Sequence, residues 1–400
     1  TIILFSLSYP YGHIEHSFLR DELTYLNVAF KKVVIVPEKI ENKLIAIPEG
    51  IIVENSLATD LKKISLRIKF KAVLSVQFFK EIFKIKFNKK KIRYALAARI
   101  SALVTHKWLQ DYIDGVETKK LVLYSFWFDF TTLGAVMFKE NNELTMVVSR
   151  CHNFDLYGNE FNGFYVPYQK NVLNKLDMVY PDSFYGRDYI LKLFPKVNCK
   201  AGIMGVSEPT NLNTKSSSSE IHIVSCAYMI PRKRIGLLLD ALIYLEEKRP
   251  DLFIHWTHIG EGPEWDMLVE KKKKFQGNVK VTFKGNIDND ELIDFYNSNS
   301  VDLFVNTSTK EGTPVSIIEA ISYGIPILAT GFGGGKEIVE KGAGILLSPN
   351  PNAVEIGQKI EYLIDENLLE PMRIKSKNVW KNHYNSANNY KSFCNDLVNL

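Results

Sequence analysis

The sequence predicts an α/β protein of two doubly wound parallel-sheet domains, on three observations. Short β-branched runs alternate with helix-length amphipathic stretches in both halves of the chain. Its 400 residues exceed one ordinary domain and suffice for two of about 200 residues, each with its own core. Between residues 208 and 220 the alternation gives way to Pro, Asn, Thr, Lys and four consecutive serines, Ser216, Ser217, Ser218 and Ser219, the composition of a linker. Two such domains place a cleft between them, with ligands beyond the carboxyl ends of the strands.

In the first half, residues 2–7 read as a buried strand, 8–16 as a loop, 18–26 as a helix and 32–36 as the second strand, a βαβ unit. Further strands are expected at 121–126, 145–149 and 178–180, and Ser183 opens a helix to Leu193. Basic helices fill 60–115. The longest apolar window, 121–138, contains Asp129 and Gly134, so it reads as a strand running into a helix rather than a membrane span. No signal peptide is expected before the first strand. In the second half the strands are 221–225, 253–259, 279–284, 301–306 and 326–330. Helices 236–247, 264–274, 290–298, one running to Tyr323 and 336–341 alternate with them, with Asp290 expected as an N-cap. The last stretch, 371–400, reads as a polar helix carrying Trp380, Tyr384, Tyr390 and Phe393.

Net charge is only +5, yet residues 61–100 hold thirteen Lys or Arg against one acid, Glu81. Apolar residues interleave there, as in Phe78-Phe79-Lys80-Glu81-Ile82-Phe83-Lys84. That pattern suits an anionic membrane surface, and it equally suits solvated helices whose lysine stems lie over the core. Nucleic acid is not expected, because the basic run lacks stacking motifs and the rest of the chain is near neutral. Cys151, Cys199, Cys226 and Cys394 are isolated, which favours a reducing compartment over disulfides or a zinc site.

The most informative run is Glu311-Gly312-Thr313-Pro314-Val315-Ser316-Ile317-Ile318-Glu319-Ala320, which follows the apolar 301–306 strand. Gly312 permits a sharp turn, Pro314 suits the first turn of a helix, and the free N–H groups there favour an anion such as a diphosphate. Glu311 in the loop and Glu319 two turns on address different parts of one extended ligand, a sugar and a ribose diol. This run resembles the donor site of the family 4 glycosyltransferases, retaining enzymes of the GT-B fold, whose mark is two glutamates eight positions apart in an EGxPxxxxEA context.

The resemblance implies two Rossmann-like domains facing across a cleft. Residues 1–207 bind the acceptor, 208–375 the nucleotide-sugar donor, and 376–400 form a helix crossing back to the first domain. Lys233 in Pro231-Arg232-Lys233-Arg234 matches the family's diphosphate-binding lysine. The family's arginine five residues earlier is Tyr228 here, so Arg232 or Arg234 supplies the second charge, with Arg234 preferred. His152, after the 145–149 strand, matches a histidine that bonds the donor sugar. Gly12 matches a glycine that approaches the diphosphate, while Ile14 stands where a second glycine is common. Glu15, His13 and His16 are candidate acceptor-side groups. Gly260 lies in a GxGP turn shaping the pocket, Gly285, Asn286 and Ile287 meet the nucleobase, and Thr313, Pro314 and Val315 start the cradle helix. Gly334, in the Gly-rich loop 331–337, forms a wall near the diphosphate. Family donors are held without metal, so none is expected at Asp288 and Asp290.

The expected function is transfer of a hexose or N-acetylhexosamine, from a UDP-sugar by family frequency, to a lipid-linked glycan. That places the enzyme in bacterial O-antigen, lipopolysaccharide or capsule synthesis, at the inner face of the cell membrane. The alternatives are a GDP-mannose-dependent mannosyltransferase, a GT-B nucleotide-sugar epimerase and a non-catalytic module. A dehydrogenase is disfavoured, since no GxGxxG follows the first strand.

Overall fold

The computed structural model describes residues 1–12, 15–41, 43–113, 120–158, 165–209 and 220–400. His13, Ile14 and the serine run of the expected linker lie outside the described residues. The chain forms two compact units, Thr1–Met204 with Tyr390–Leu400, and Gly205–Asn389.

The first unit is wound on strands β1 (Ile2–Ser6), β2 (Val33–Pro37), β3 (Ile52–Val53), β4 (Leu121–Ser125), β5 (Thr145–Cys151) and β6 (Met178–Pro181). Their order is β3-β2-β1-β4-β5-β6, all parallel. Strands buried along their whole length, as β1, β2 and β4 are, need cover on both faces. The helix His16–Ala29 gives one cover with Leu19, Leu23 and Leu26 at helical spacing, and the helix Ser386–Asn399 adds Phe393 and Leu397 to the same core. Through that core runs a fully buried ion pair, Arg150 Nη2 to Glu22 Oε2 at 2.7 Å, with the Tyr124 hydroxyl bonded to both partners. No sequence signal marked this pair or the two-residue strand β3.

The basic region forms the helices Ser56–Lys62, Leu66–Val73, Val76–Lys84 and Lys89–Ile113. Ser65 and Ser75 cap two of them, accepting from the backbone N–H of Ile68 and Phe78. Leu66, Phe70 and Phe83 are 71%, 66% and 68% exposed. No described helix is long and apolar enough to cross a membrane.

The second unit is wound on β7 (Ile221–Cys226), β8 (Ile254–Ile259), β9 (Val279–Phe283), β10 (Leu303–Asn306), β11 (Ile327–Thr330) and β12 (Gly344–Leu347). The order β12-β11-β10-β7-β8-β9, again parallel, repeats the winding of the first sheet. In each sheet the first strand lies between the second and the fourth, so the loops after the first and fourth strands leave the sheet side by side. Strand β12 and the helix Ala353–Asp365 were not anticipated, although Ile356, Ile360 and Leu363 carry a buried i, i+4, i+7 pattern. The helix Asn289–Ser298 corrects the expected cap: Asp288, not Asp290, is the N-cap. Asp288 accepts from the Glu291 N–H at 2.8 Å while Glu291 accepts from the Asp288 N–H at 3.1 Å.

Candidate active site

Lys233 follows β7 and Glu311 follows β10, the two strands adjacent at the switch point of the second sheet. The winding therefore brings together residues 78 apart, and the Lys233 ammonium donates to the Glu311 carboxylate, both largely buried. Local bonds hold the pair. The Thr307 hydroxyl donates to the carbonyls of Lys233 at 2.9 Å and Arg234 at 3.1 Å, and the Thr309 N–H donates to the Arg232 carbonyl at 2.9 Å.

Arg234 takes the left-handed conformation, φ 53° and ψ 40°, which turns the chain from the single turn Pro231–Lys233 into the helix Ile235–Lys248. Its Nε donates to the Thr307 carbonyl at 2.6 Å and its Nη1 to Asn350 Oδ1 at 3.0 Å. Nη2 is buried without a partner among the described residues, and burial lowers the pKa of the guanidinium.

Pro314 is the N-cap of the helix Val315–Ser322, one position before the expected first turn. Glu319, on that helix, is partly buried and accepts a hydrogen bond from Asn289 Nδ2 at 3.0 Å. Burial pushes its carboxyl up to about 7, against the Asn289 amide, which pulls the other way. The Cys226 thiol at the end of β7 is raised to about 12 by burial, with the Glu319 charge adding and Lys233 opposing. Asn289 and Thr307 are the partners that sequence reasoning missed; Asn289 stands between Asp288 and the expected cap Asp290.

The Gly-rich loop after β11 closes against this cradle. The Gly334 N–H donates to the Gly312 carbonyl at 2.9 Å. A Cβ on Gly333 would stand 2.1 Å from the Glu311 carbonyl oxygen, and one on Gly334 2.3 Å from that of Gly312. Gly333, at φ 59°, takes the left-handed conformation that its turn against the Glu311 backbone requires.

At the far side of the same edge, Gly260 after β8 donates to the Gly285 carbonyl after β9 at 2.8 Å, and the Glu261 N–H donates to Asn286 Oδ1 at 3.0 Å. Ile287 follows, partly buried. Beside this turn lies a pocket of about 380 Å³ lined by Tyr228, Glu261, Gly262, Trp265, Asp266 and Asn286. Tyr228, which stands where an arginine was expected, is thus a wall of the pocket by the turn.

In the first unit His152 follows β5 and is 7% exposed. Its ring packs on Trp127, centroids 4.3 Å apart, and neither ring nitrogen has a hydrogen-bond partner among the described residues. Asp155 fixes the turn, accepting from the N–H groups of His152 at 2.5 Å and Phe128 at 2.8 Å. Glu15 departs from its expected acceptor-side role. It is fully buried and accepts from the N–H groups of Leu7, Ser8 and Tyr9 at 2.8, 2.8 and 2.9 Å and from Trp127 Nε1 at 2.7 Å. Those four donors use the carboxylate to hold its own loop. His16 lies edge-on to Tyr9. Gly12 serves the same loop, since a Cβ there would meet Ser8 Oγ at 2.1 Å.

Residues 211–382 match the family described as Glycosyl transferases group 1. The chain is 27% identical over 295 residues, 66% of its length and 81% of the other's, to the O-antigen biosynthesis glycosyltransferase WbnH of Escherichia coli. To the GtfA subunit of a UDP-N-acetylglucosamine–peptide N-acetylglucosaminyltransferase of Streptococcus pneumoniae it is 24% identical over 266 residues, 62% of this chain and 51% of the other. Among solved structures, the apo lipopolysaccharide outer core galactosyltransferase WaaB superposes with a TM-score of 0.70 at 13% identity, over 99% of this chain and 98% of that one. HepE of Anabaena, in complex with UDP and glucose, gives 0.63 at 15%, over 100% and 99%. The fold is GT-B, and the protein is a transferase enzyme that moves glycosyl groups.

Proposed function

We propose that this glycosyltransferase moves a hexose or N-acetylhexosamine, with retention of configuration, from a UDP-sugar to a lipid-linked glycan during assembly of a bacterial surface polysaccharide such as an O-antigen or capsule. The observation that supports this reading most is the Lys233 and Glu311 pair at the switch point of the second sheet. Glu311 engages one donor of the ammonium and orients it, and the remaining donors suit a diphosphate leaving group. Arg234 or Arg232 adds the second positive charge, so the scheme uses no divalent metal. Glu311 accepts from hydroxyls of the transferred sugar, Glu319 from the ribose diol, and Gly285, Asn286 and Ile287 meet the base. His152 offers a ring nitrogen to a sugar hydroxyl. Positioning and fixed charge supply the rate.

Uridine is favoured because HepE was solved with UDP and the GtfA relative is named for a UDP-sugar. Outward Leu66, Phe70 and Phe83 among lysines support peripheral attachment to the inner face of the cell membrane. A thermal-shift panel of nucleotide sugars tests the reading, since a ligand at 100 times its Kd stabilises by about 2.7 kcal/mol. One UDP-sugar should raise Tm, EDTA should leave that shift intact, and donor should be consumed only with a glycan acceptor. Response to GDP-mannose alone would establish the mannosyltransferase alternative, an epimerised sugar without acceptor the epimerase. No response to any nucleotide sugar would sink the proposal.

A further inference from the structure

The first unit holds a pocket of about 280 Å³ beyond the carboxyl ends of β4 and β5, walled by Ala97, Ala98, Phe128, Leu133, Phe154 and Val166 among others. Two helices set its shape, Lys89–Ile113 with the alanines and Phe130–Lys139 with Leu133. They approach closely at Gly134, where a Cβ would lie 2.6 Å from Thr105 Cβ. The pocket is therefore a feature of packed elements.

Its polar groups, Tyr94 apart, are already engaged. Asp155 accepts from two backbone N–H groups. Asp129 accepts from the Thr131 N–H at 2.7 Å and hydroxyl at 2.6 Å and is hydrogen-bonded to Glu38. The Tyr165 hydroxyl donates to Glu81. A sugar ring placed there would bury hydroxyls without partners, at about 1–3 kcal/mol each, whereas a hydrocarbon forfeits nothing. The helix carrying Ala97 and Ala98 begins with Lys89, Lys90, Lys91 and Arg93, and the Lys91 ammonium lies 5.6 Å from the ring centroid of Tyr165, a further wall of the pocket. The Lys91 ammonium thus stands beside a wall of the apolar pocket, and the basic start of the same helix complements an anion joined to a hydrocarbon.

We infer that this pocket receives the first segment of the hydrocarbon chain of the acceptor's own lipid carrier, with the carrier phosphate on the Lys90, Lys91 and Arg93 cations. The inference rests on the lipid-linked acceptor of the proposed function. The volume lies just under the range of about 300–1,000 Å³ that suits drug-sized ligands, so only the part of the chain next to the phosphate fits.

Farnesyl phosphate, titrated calorimetrically into the full chain below its aggregation concentration, is the probe. Saturable binding at one site is expected, with farnesol and inorganic phosphate each at least tenfold weaker. Ala98→Trp fills the pocket and should weaken farnesyl phosphate at least tenfold while leaving sedimentation with phosphatidylglycerol vesicles and the UDP-sugar Tm shift unchanged. Lys90→Glu with Lys91→Glu should weaken farnesyl phosphate but not farnesol. Wild-type affinity in Ala98→Trp, or its parallel loss of vesicle binding, would overturn the inference in favour of general membrane adhesion. Loss of every nucleotide-sugar shift alongside intact farnesyl phosphate binding would sink the functional reading alone, and the reverse pattern the pocket alone.

Discussion

Burial places the Glu319 titration at about 7, inside the range in which a transferase is assayed. Accepting both hydroxyls of a ribose diol requires the ionised carboxylate. With a pKa of about 7 the ionised fraction is about 0.09 at pH 6 and about 0.9 at pH 8, so apparent affinity for a UDP-sugar should rise about tenfold across that interval. The intact sugar nucleotide is the right ligand, because its diphosphate is a diester and does not titrate there, whereas the terminal phosphate of UDP does. Glu319→Gln keeps an oxygen for the Asn289 amide but removes the ionisation, so its affinity should be flat with pH. Stability runs in the opposite sense. The folded pKa exceeds that of the unfolded carboxyl, so the stabilising contribution is complete below about pH 4.5 and is lost as pH rises through about 7. The unliganded wild type should therefore lose Tm between pH 6 and 8 relative to Glu319→Gln. Calorimetric titrations at pH 6, 7 and 8 on both proteins decide the matter. A flat wild-type profile, or the same slope in the variant, would refute the role given to Glu319.

Lys233→Gln and Glu311→Gln should each lower turnover at least about a hundredfold, with a double-mutant-cycle coupling in stability of about 0.5–3 kcal/mol measured by urea unfolding; additive effects would mean the pair is not coupled. Gly333→Ala strains a residue at φ 59° and drives a methyl into the Glu311 carbonyl, so it should cost about 1–3 kcal/mol and weaken UDP-sugar binding in thermal shift; wild-type behaviour would show that the loop yields freely. Binding to phosphatidylglycerol vesicles should fade as salt rises and fall further in Phe70→Ser with Phe83→Ser; sedimentation indifferent to salt would leave only solvated helices.

What the sequence disclosed follows how far each signal reaches along the chain. Lys233 and Glu311 each stand in a short run after an apolar strand, and doubly wound sheets set the loops after the first and fourth strands together, so their meeting was inferable without any contact in hand. The cap at Asp288 was also legible, since Glu291 stands three residues on, the spacing of a capping box that Asp290 lacks. The role of Glu15 was not legible. One of its four donors is the indole of Trp127, 112 residues away, and no local pattern distinguishes a carboxylate that binds its own loop from one that faces a ligand. Strand β3 carries two residues with no burial pattern, too short for any periodicity to register.

The same contrast explains why the carboxyl edge of the second sheet carried motifs that the sequence displayed and that of the first did not. Both sheets have the same winding, yet their carboxyl edges spend charge differently. In the second unit Lys233 and Glu311 meet each other through side chains, Arg234 keeps one nitrogen unengaged, and Gly333 and Gly334 let the neighbouring loop pack directly on the backbone of Glu311 and Gly312. In the first unit Glu15 and Asp155 are consumed by backbone N–H groups, and Asp129 is shared between Thr131 and Glu38. Polar recognition advertises itself as unusual residues at fixed spacing. With its carboxylates spent internally, the first edge keeps the His152 ring and an apolar pocket, and that pocket, built from Ala97, Phe128 and Leu133 on three separate segments, has no sequence motif to betray it.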